Sequence, residues 1–379
     1  MAKVYMKQSA PENPITRRNF IELASATLAS AGFAAKGNAE TSSRDPHSAA
    51  FVGDFDASSL HGKIALEEHF ALAEVFDHNH AGKNLPPAFR SQILDLDEIR
   101  LAEMDRGGLE LCILSLDSPG IQGVPDTSEA ISLARRANDH LAQNIAKNPK
   151  RFRGFAALPM QDPQAAAQEL TRCVRELGFV GALVNGFSQV GAADSVVYYD
   201  LPQYRPFWAT VQDLDVPFYL HPRRPLETGM RAYEGHAWLA GAPWGFAVET
   251  SIHALRLMGS GLFDEYPRLK IILGHLGEGI PHGIWRTDNR IYRGSISLKT
   301  QRPLASYLRE NCYITTSGNF RTQALTNVIL EIGADRVLYS VDYPFEDVVE
   351  AQTWLDHCAI SDADRIKIAR GNAQKLFHL

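Results

Sequence analysis

Short apolar runs alternate with longer amphipathic stretches from Lys63 to the end of the chain. The runs lie at 63–67, 111–116, 153–159, 181–185, 216–221, 270–275, 312–317 and 337–342. Between them lie stretches such as LDLDEIRLAEMDRGG and PQAAAQELTRCVRELG, in which apolar residues recur at helical spacing and a glycine follows the last turn. This alternation is typical of repeated βα units around a parallel sheet.

The number of runs indicates how the sheet is arranged. Eight βα units over residues 62–379 predict an α/β fold of the (β/α)8 TIM-barrel type. An open, doubly wound sheet is the alternative, but no G-x-G-x-x-G motif follows the first run.

The N-terminal segment differs from the rest of the chain. Arg17 and Arg18 precede a mildly apolar run, about Phe20 to Ala35, that is too short to span a membrane. The pattern resembles a twin-arginine signal, which predicts a signal peptide at 1–39, a linker at 40–61 and export by the twin-arginine machinery to the periplasm. The alternative is a disordered Ser/Ala-rich extension on a cytoplasmic protein.

Composition and charge narrow the class of partner. The chain has 379 residues, 45% of them hydrophobic, which is enough for one large core. Its net charge is −6 and no basic run is interleaved with aromatics, so we expect a small substrate and not nucleic acid or an anionic membrane. The four scattered cysteines are predicted to be small core residues: Cys112, Cys173, Cys312 and Cys358.

Polar side chains end five of the eight predicted strands. They are Glu67 and His69 on strand one, Asn185 on strand four, His221 on strand five, His275 on strand six and Asp342 on strand eight. The carboxyl ends of barrel strands converge on one mouth. Glu67 and His69 are two residues apart and therefore face the same side, whereas Glu68 faces away.

A single histidine at a strand end is more often an ordinary polar residue than a ligand. Five ionisable groups at one end of a barrel would, however, leave buried charges unpaired unless a cation compensates them. The mixture of imidazoles and carboxylates suits Zn, Mn, Fe or Mg. His253 and His357 are predicted to face helix neighbours or solvent, and His236 and His282 lie in loop-like segments.

Six long segments carry a resemblance to a known family. They are GKIALEEHF (62–70), LVNGFSQ (183–189), VPFYLHPRRP (216–225), ETSIHALRLM (249–258), LGHLGEGIPHGIWRTDNR (273–290) and YSVDYPFED (339–347). With them, residues 62–379 resemble amidohydrolase-superfamily decarboxylases, close to the γ-resorcylate and 2,3-dihydroxybenzoate decarboxylases. The resemblance implies a barrel of the metal-dependent hydrolase type.

The resemblance also implies roles for particular residues. Glu67, His69, His221 and Asp342 would bind the metal, His275 would be catalytic with support from Glu278, and Asn185 and Arg286 would contact the substrate. Hydrolytic members usually begin with His-x-His on strand one and often bind two metals. Glu67 and Asn185 depart from that pattern and indicate one divalent ion.

These residues could carry a non-oxidative decarboxylation. An ortho-hydroxybenzoate, such as 2,6- or 2,3-dihydroxybenzoate, would release CO2 after Asp342 protonates its ring, while His275 holds the phenolic oxygen. The ring accepts the electrons, so no organic cofactor is expected. Flat-ring walls are expected among Phe70, Phe187, Trp244, Tyr343 and Phe345.

The sequence is also compatible with other functions and with other roles for two of these residues. The same ligands could activate water to hydrolyse a lactone or an amide, and a binding protein could keep the fold without the chemistry. Arg286 could pair with Asp288, and Asn185 could cap its loop. The resemblance suggests a homodimer or homotetramer.

Overall fold

The protein is described by a computed structural model over residues 62–79 and 85–379, so the predicted signal and linker lie outside the described residues. Eight parallel strands form one sheet in chain order. They are β1 (Lys63–Phe70), β2 (Leu109–Leu116), β3 (Phe152–Ala156), β4 (Gly181–Asn185), β5 (Phe218–His221), β6 (Ile271–Leu273), β7 (Cys312–Thr315) and β8 (Val337–Leu338). The predicted (β/α)8 barrel is confirmed.

The segment after β8 returns to the edge of β1. The backbone N–H of His69 donates to the carbonyl of Tyr343 at 2.8 Å, and that of Glu67 donates to Oγ of Ser340 at 2.6 Å. These contacts bring the first and last elements of the sheet together, so the barrel is nearly closed.

Helices surround the strands. The α-helices are α1 (Ala73–Asn79), α2 (Phe89–Leu94), α3 (Glu98–Arg106), α4 (Thr127–Lys147), α5 (Pro163–Arg175), α6 (Arg205–Asp213), α7 (Gly245–Gly259), α8 (Leu262–Glu265), α9 (Ile280–Arg293), α10 (Leu304–Asn311), α11 (Thr322–Ile332), α12 (Val348–His357), α13 (Asp362–Ile366) and α14 (Asn372–Phe377). Short 3-10 turns lie at Gly120–Gly123, Pro202–Tyr204, Glu227–Tyr233, Ala237–Ala240 and Ala334–Arg336, and a π turn lies at Lys367–Gly371.

Local sequence explains where several helices begin. The Asp126 side chain accepts the backbone N–H of Glu129 at the start of α4, and the Asp162 side chain caps α5, in which Pro163 occupies the first turn. Both arrangements satisfy backbone donors that a helix leaves free at its N-terminus.

A β-bulge in β1 decides which side chains point into the barrel. Ala65 pairs with Cys112 and Glu68 pairs with Leu114, so three steps along β1 match two along β2. Ile64 and Leu66 lie in the inner core with Ile113 and Tyr219, whereas Ala65 packs in the outer core. Because the extra residue reverses the alternation, Glu67 and His69 face inward beyond the bulge.

Further sequence predictions are resolved by the fold. All four cysteines are free and buried, as predicted.

His357 is exposed at the end of α12, whereas His253 is fully buried on α7. His282 does not lie in a loop but in the first turn of α9, which Pro281 favours. Within 62–79 and 85–379, no helix is long and apolar enough to cross a membrane.

Candidate active site

Glu67, His69, His221 and Asp342 converge at the mouth of the barrel. Each offers one ligand atom, and these four atoms lie within 4.8 Å of one another. Nε2 of His69 is 3.2 Å from Oδ1 of Asp342, and Nε2 of His221 is 3.2 Å from Oε1 of Glu67. The four side chains predicted as ligands are therefore brought together.

The donor atoms fit a cation. Oε1 of Glu67 and Nε2 of His69 are buried, and although each lies 3.2 Å from an atom of a neighbouring ligand, neither makes a well-aligned hydrogen bond among the described residues. Buried polar atoms without partners are costly unless an ion or water satisfies them. Two imidazole nitrogens and two carboxylate oxygens are ligands that zinc, manganese and related divalent ions accept.

The charges at the centre are strongly coupled. Burial alone would raise the pKa of Glu67, but the imidazoles of His275, His221 and His69 outweigh it and hold that pKa well below the usual range. Burial likewise opposes protonation of His69, yet the carboxylates of Asp342 and Glu67 raise its pKa. The carboxylates thus favour positive charge here, which protons supply when a metal does not.

Glu68 is separated from this centre, as its position predicts. Its Oε1 accepts the backbone N–H of Val341 at 2.9 Å and the Ser340 hydroxyl at 3.2 Å. Burial raises the pKa of Glu68 to about 7. Glu68 therefore joins β1 to the segment after β8 and does not act as a ligand.

His275 lies beyond the end of β6, not within the strand as predicted. The backbone leaves the extended conformation there, with φ of 50° at His275 and 55° at Glu278. Residues other than glycine rarely adopt positive φ, and such backbone strain is common at functional sites. The turn places Oε1 of Glu278 2.6 Å from Nδ1 of His275.

Asp342 also lies beyond its strand, because β8 ends at Leu338 and φ at Asp342 is 83°. Its Oδ1 faces His69, and its Oδ2 is 3.4 Å from Nε2 of His275. A Cβ at Gly318 would lie 3.3 Å from Oδ2 of Asp342 and 3.1 Å from Cδ2 of His275. The glycine therefore leaves room where these two side chains meet.

A cavity of ≈ 850 Å³ opens beside His275, Glu278 and Asp342. Much of its remaining lining is apolar and comes from α7 and α9, including Val248, Ile252, Leu255, Ile280 and Ile284. A small aromatic molecule fits a pocket of this size and lining.

Glu346 also lines the cavity and was missed from the sequence. Burial and the negative charges of Asp342 and Glu350 raise its pKa to about 7. Its position four residues after Asp342, in the segment YPFED, was the one available signal.

Asn185 is buried at the end of β4 and joins its neighbours. Its side-chain amide donates to the carbonyl of Leu116 at 3.2 Å, and its backbone N–H donates to Oε1 of Gln122 at 3.1 Å. Its Oδ1 is buried without a hydrogen-bond partner in the described part of the chain. The side chain thus braces the end of β2 and keeps one acceptor free.

Arg286 is not brought to this cavity. It is exposed on α9, and Asp288, its suggested partner, accepts the backbone N–H groups of Leu304 and Ala305 instead. Of the expected aromatic walls, Trp244 lines the cavity, and the Phe345 ring lies 5.7 Å from that of His69.

Phe70, Phe187 and Tyr343 are buried. The Phe187 ring lies under Arg223 at 4.0 Å, and the Tyr343 ring under Arg100 at 4.4 Å. Both rings therefore pack against buried arginine side chains.

Comparisons with known proteins identify the family of the chain. A sequence model of the family described as Amidohydrolase matches residues 98–379. A γ-resorcylate decarboxylase of Polaromonas sp. (strain JS666) is 57% identical over 326 residues, which cover 84% of this chain and 99% of that protein.

Two solved structures are also similar over 84% of this chain. A 2,6-dihydroxybenzoate decarboxylase complexed with 2,6-dihydroxybenzoate is 55% identical, is covered to 100% and has a TM-score of 0.82. A dihydroxybenzoic acid decarboxylase from Polaromonas sp. JS666, with bound manganese and the inhibitor 2-nitroresorcinol, is 57% identical, is covered to 97% and has a TM-score of 0.81.

Proposed function

Because the chain belongs to the amidohydrolase family, we propose that it is a metal-dependent decarboxylase that releases CO2 from an ortho-hydroxybenzoate, with 2,6-dihydroxybenzoate as the first candidate. The main support is one observation: four ligand atoms lie within 4.8 Å of one another, and one of these ligands, Asp342, lines a cavity together with His275. The two similar structures, one with 2,6-dihydroxybenzoate and one with manganese, support the same chemistry.

The proposed metal ligands are Glu67, His69, His221 and Asp342, and the proposed stoichiometry is one divalent ion. Manganese is the first candidate because a similar structure holds it, and zinc or magnesium would accept the same donors. When bound, the ion would supply positive charge that orients the carboxylate and phenolate oxygens of the substrate.

Asp342 is the proposed acid. Its carboxyl group donates a proton to the ring carbon that bears the carboxylate, and the bond from that carbon to the carboxylate then breaks. The electron pair of the broken bond restores the aromatic ring, and CO2 leaves. One proton is consumed in each turnover, so Asp342 must be reprotonated from solvent.

His275 is the proposed partner of the phenolic oxygen. Glu278 binds Nδ1, which leaves Nε2 directed toward Asp342 and the cavity. From there Nε2 can hold or accept the phenolic proton while the ring carbon is protonated.

Asn185, Phe345 and Arg286 are the proposed substrate contacts. The free Oδ1 of Asn185 can accept a hydroxyl, and Phe345 can flank the ring. Arg286 does not line the cavity of its own chain. It is exposed next to Trp285, which is 72% exposed on the same helix, so a second chain could contact both side chains. We therefore propose a homodimer or homotetramer that covers this face of α9.

The direct test uses the purified full chain, loaded with Mn²⁺ and incubated with 2,6-dihydroxybenzoate, 2,3-dihydroxybenzoate and salicylate. We expect CO2 and the matching phenol, measured by gas analysis and chromatography, with metal-stripped protein as the control. Lactone opening without CO2 release from any of the acids would favour the hydrolase alternative and contradict the proposal.

Export by the twin-arginine route stays a prediction from the sequence, because Arg17 and Arg18 lie outside the described residues. Its measurement is the N-terminal sequence of the mature protein from a cell fraction. A mature chain that begins near residue 40 in the periplasm is the expected result.

A further inference from the structure

The two oxygens of the Glu67 carboxylate have different surroundings. Oε2 is contacted by the hydroxyls of Tyr219, Ser317 and Thr315, the last at 3.3 Å. All four side chains are completely buried. Oε1 instead faces the centre, 3.2 Å from Nε2 of His221.

Counting protons shows how the hydroxyls share this oxygen. Each hydroxyl has one proton to donate. Thr315 Oγ1 lies 2.9 Å from the Tyr219 hydroxyl and 2.8 Å from the Ser317 hydroxyl, both closer than its contact with Glu67. Tyr219 and Ser317 therefore donate to Oε2, while Thr315 donates to one of them and strengthens its bond.

The backbone around Glu67 leaves little freedom for the carboxylate to turn. A Cβ at Gly274 would lie 3.0 Å from Oε2 and 3.1 Å from Oε1, so even this glycine is close-packed against both oxygens. Ser317 also accepts the backbone N–H of His275 at 3.1 Å. The hydroxyl that holds Glu67 is thus fixed to the strained turn that carries His275.

We propose that Tyr219, Thr315 and Ser317 are positioning residues that restrict Glu67 to binding a metal through Oε1 alone and thereby set the affinity of the centre for its ion. The proposal rests on the metal site of the proposed function. It follows because a cation at Oε2 would face the protons of two hydroxyls, whereas Oε1 is buried, faces the other ligands and makes no well-aligned hydrogen bond among the described residues. A carboxylate held in place also loses less conformational freedom when it binds the ion.

The first test is Tyr219→Phe, which removes one donor and keeps the ring. We expect the dissociation constant for Mn²⁺, measured by competition with a chelator on the full chain, to rise about tenfold, as is usual when a group that orients a ligand is removed. Ser317→Ala should give a similar rise, and it changes less volume if the tyrosine variant fails to fold.

Tyr339→Phe is the matched control. Tyr339 is also fully buried, but its hydroxyl has no hydrogen-bond partner in the described ranges and is not one of the three hydroxyls that contact Oε2 of Glu67. We expect the control to keep the wild-type affinity for Mn²⁺. A second readout is a crystal structure of the Mn²⁺-loaded Tyr219→Phe or Ser317→Ala protein, in which we expect Glu67 to turn so that Oε2 also approaches the ion.

Two failures can be told apart. If the wild-type chain binds no divalent ion, the proposed function fails as well. If the wild type binds Mn²⁺ and both variants bind it as tightly as the wild type and the Tyr339→Phe control, the positioning role is wrong and the proposed function stands.

Discussion

His275 and Glu278 form a close pair within the turn that follows β6, with Nδ1 of the imidazole 2.6 Å from Oε1 of the carboxylate. Both residues have positive φ, so the contact is held by a strained turn. Because Nδ1 is occupied, Nε2 faces Asp342 at 3.4 Å. The pair fixes both the tautomer and the direction of the ring.

Replacing His275 with Asn should separate chemistry from metal binding. The His275→Asn protein should keep its metal because the ring is not among the four ligands, but lose roughly 10²- to 10⁴-fold in turnover, the usual contribution of a general acid or base. Elemental analysis beside a CO2-release assay measures both quantities. Turnover near the wild-type rate would remove His275 from the reaction.

Glu278→Gln should change the pH profile of the rate. Burial lowers the pKa of His275, but the carboxylates of Glu278 and Glu67 outweigh it and raise that pKa well above its ordinary value. Removing the Glu278 charge therefore lowers the pKa of His275. If neutral His275 accepts the phenolic proton, the acidic limb of kcat against pH should move to lower pH, and an unmoved limb would contradict this coupling.

Glu67→Ala and His221→Ala should each lower metal occupancy, because each removes one of four converging ligand atoms. We expect less than one Mn²⁺ per chain after dialysis, by elemental analysis, and a matching loss of CO2 release. His357→Ala is the control, since His357 is exposed at the end of α12. Full occupancy in both ligand variants would place the metal elsewhere.

Asp342→Asn should remove the acid while keeping an oxygen near the ion. Asn retains a carbonyl oxygen at the position of Oδ1 or Oδ2 but has no ionisable proton to give. We expect partial metal occupancy and a loss of turnover that added Mn²⁺ does not restore. Unchanged metal content with unchanged turnover would eliminate the acid role.

The strand pattern was enough to predict the barrel, and the residues at the strand ends were enough to predict that the four proposed ligands meet at its mouth. The choice of these four among the strand-end residues came from the family resemblance. Apolar runs of strand length recur because each strand is covered on both faces, and polar residues interrupt them where the strands reach the mouth. Glu67, His69 and His221 lie at the ends of β1 and β5 as that pattern predicts.

The turns and hydroxyl contacts could not be predicted in the same way. The bulge between Ala65 and Glu68 depends on pairing with β2 and has no glycine or proline to indicate it. The sequence pattern placed His275 and Asp342 within their strands. Their positive φ could not be predicted, because at a non-glycine residue this conformation is fixed by tertiary contacts. Tyr219 and Ser317 carry ordinary strand residue types, so only their distance to Glu67 shows what they do.

His253 predicts how stability depends on pH. It is fully buried on α7, where its Nε2 accepts the backbone N–H of Tyr199 at 3.2 Å. Burial lowers the pKa of His253 to about 3, whereas the pKa of a histidine in the unfolded chain is about 6.5. Between these two pKa values the unfolded state binds a proton at His253 and the folded state does not. The free energy of unfolding is therefore highest above about pH 6.5 and decreases as the pH falls toward 3.

The residue should cost on the order of 2 kcal/mol of unfolding free energy between pH 7 and pH 5, at about 1.4 kcal/mol per pH unit below the unfolded pKa. His253→Gln keeps an acceptor for Tyr199 without a titrating group, so its unfolding free energy, measured in urea, should fall less than that of the wild type over this range. His357→Gln, at an exposed position, should follow the wild type. Parallel curves for the wild type and His253→Gln would mean that His253 is protonated in the folded protein, with water or a shifted side chain accepting from Nδ1.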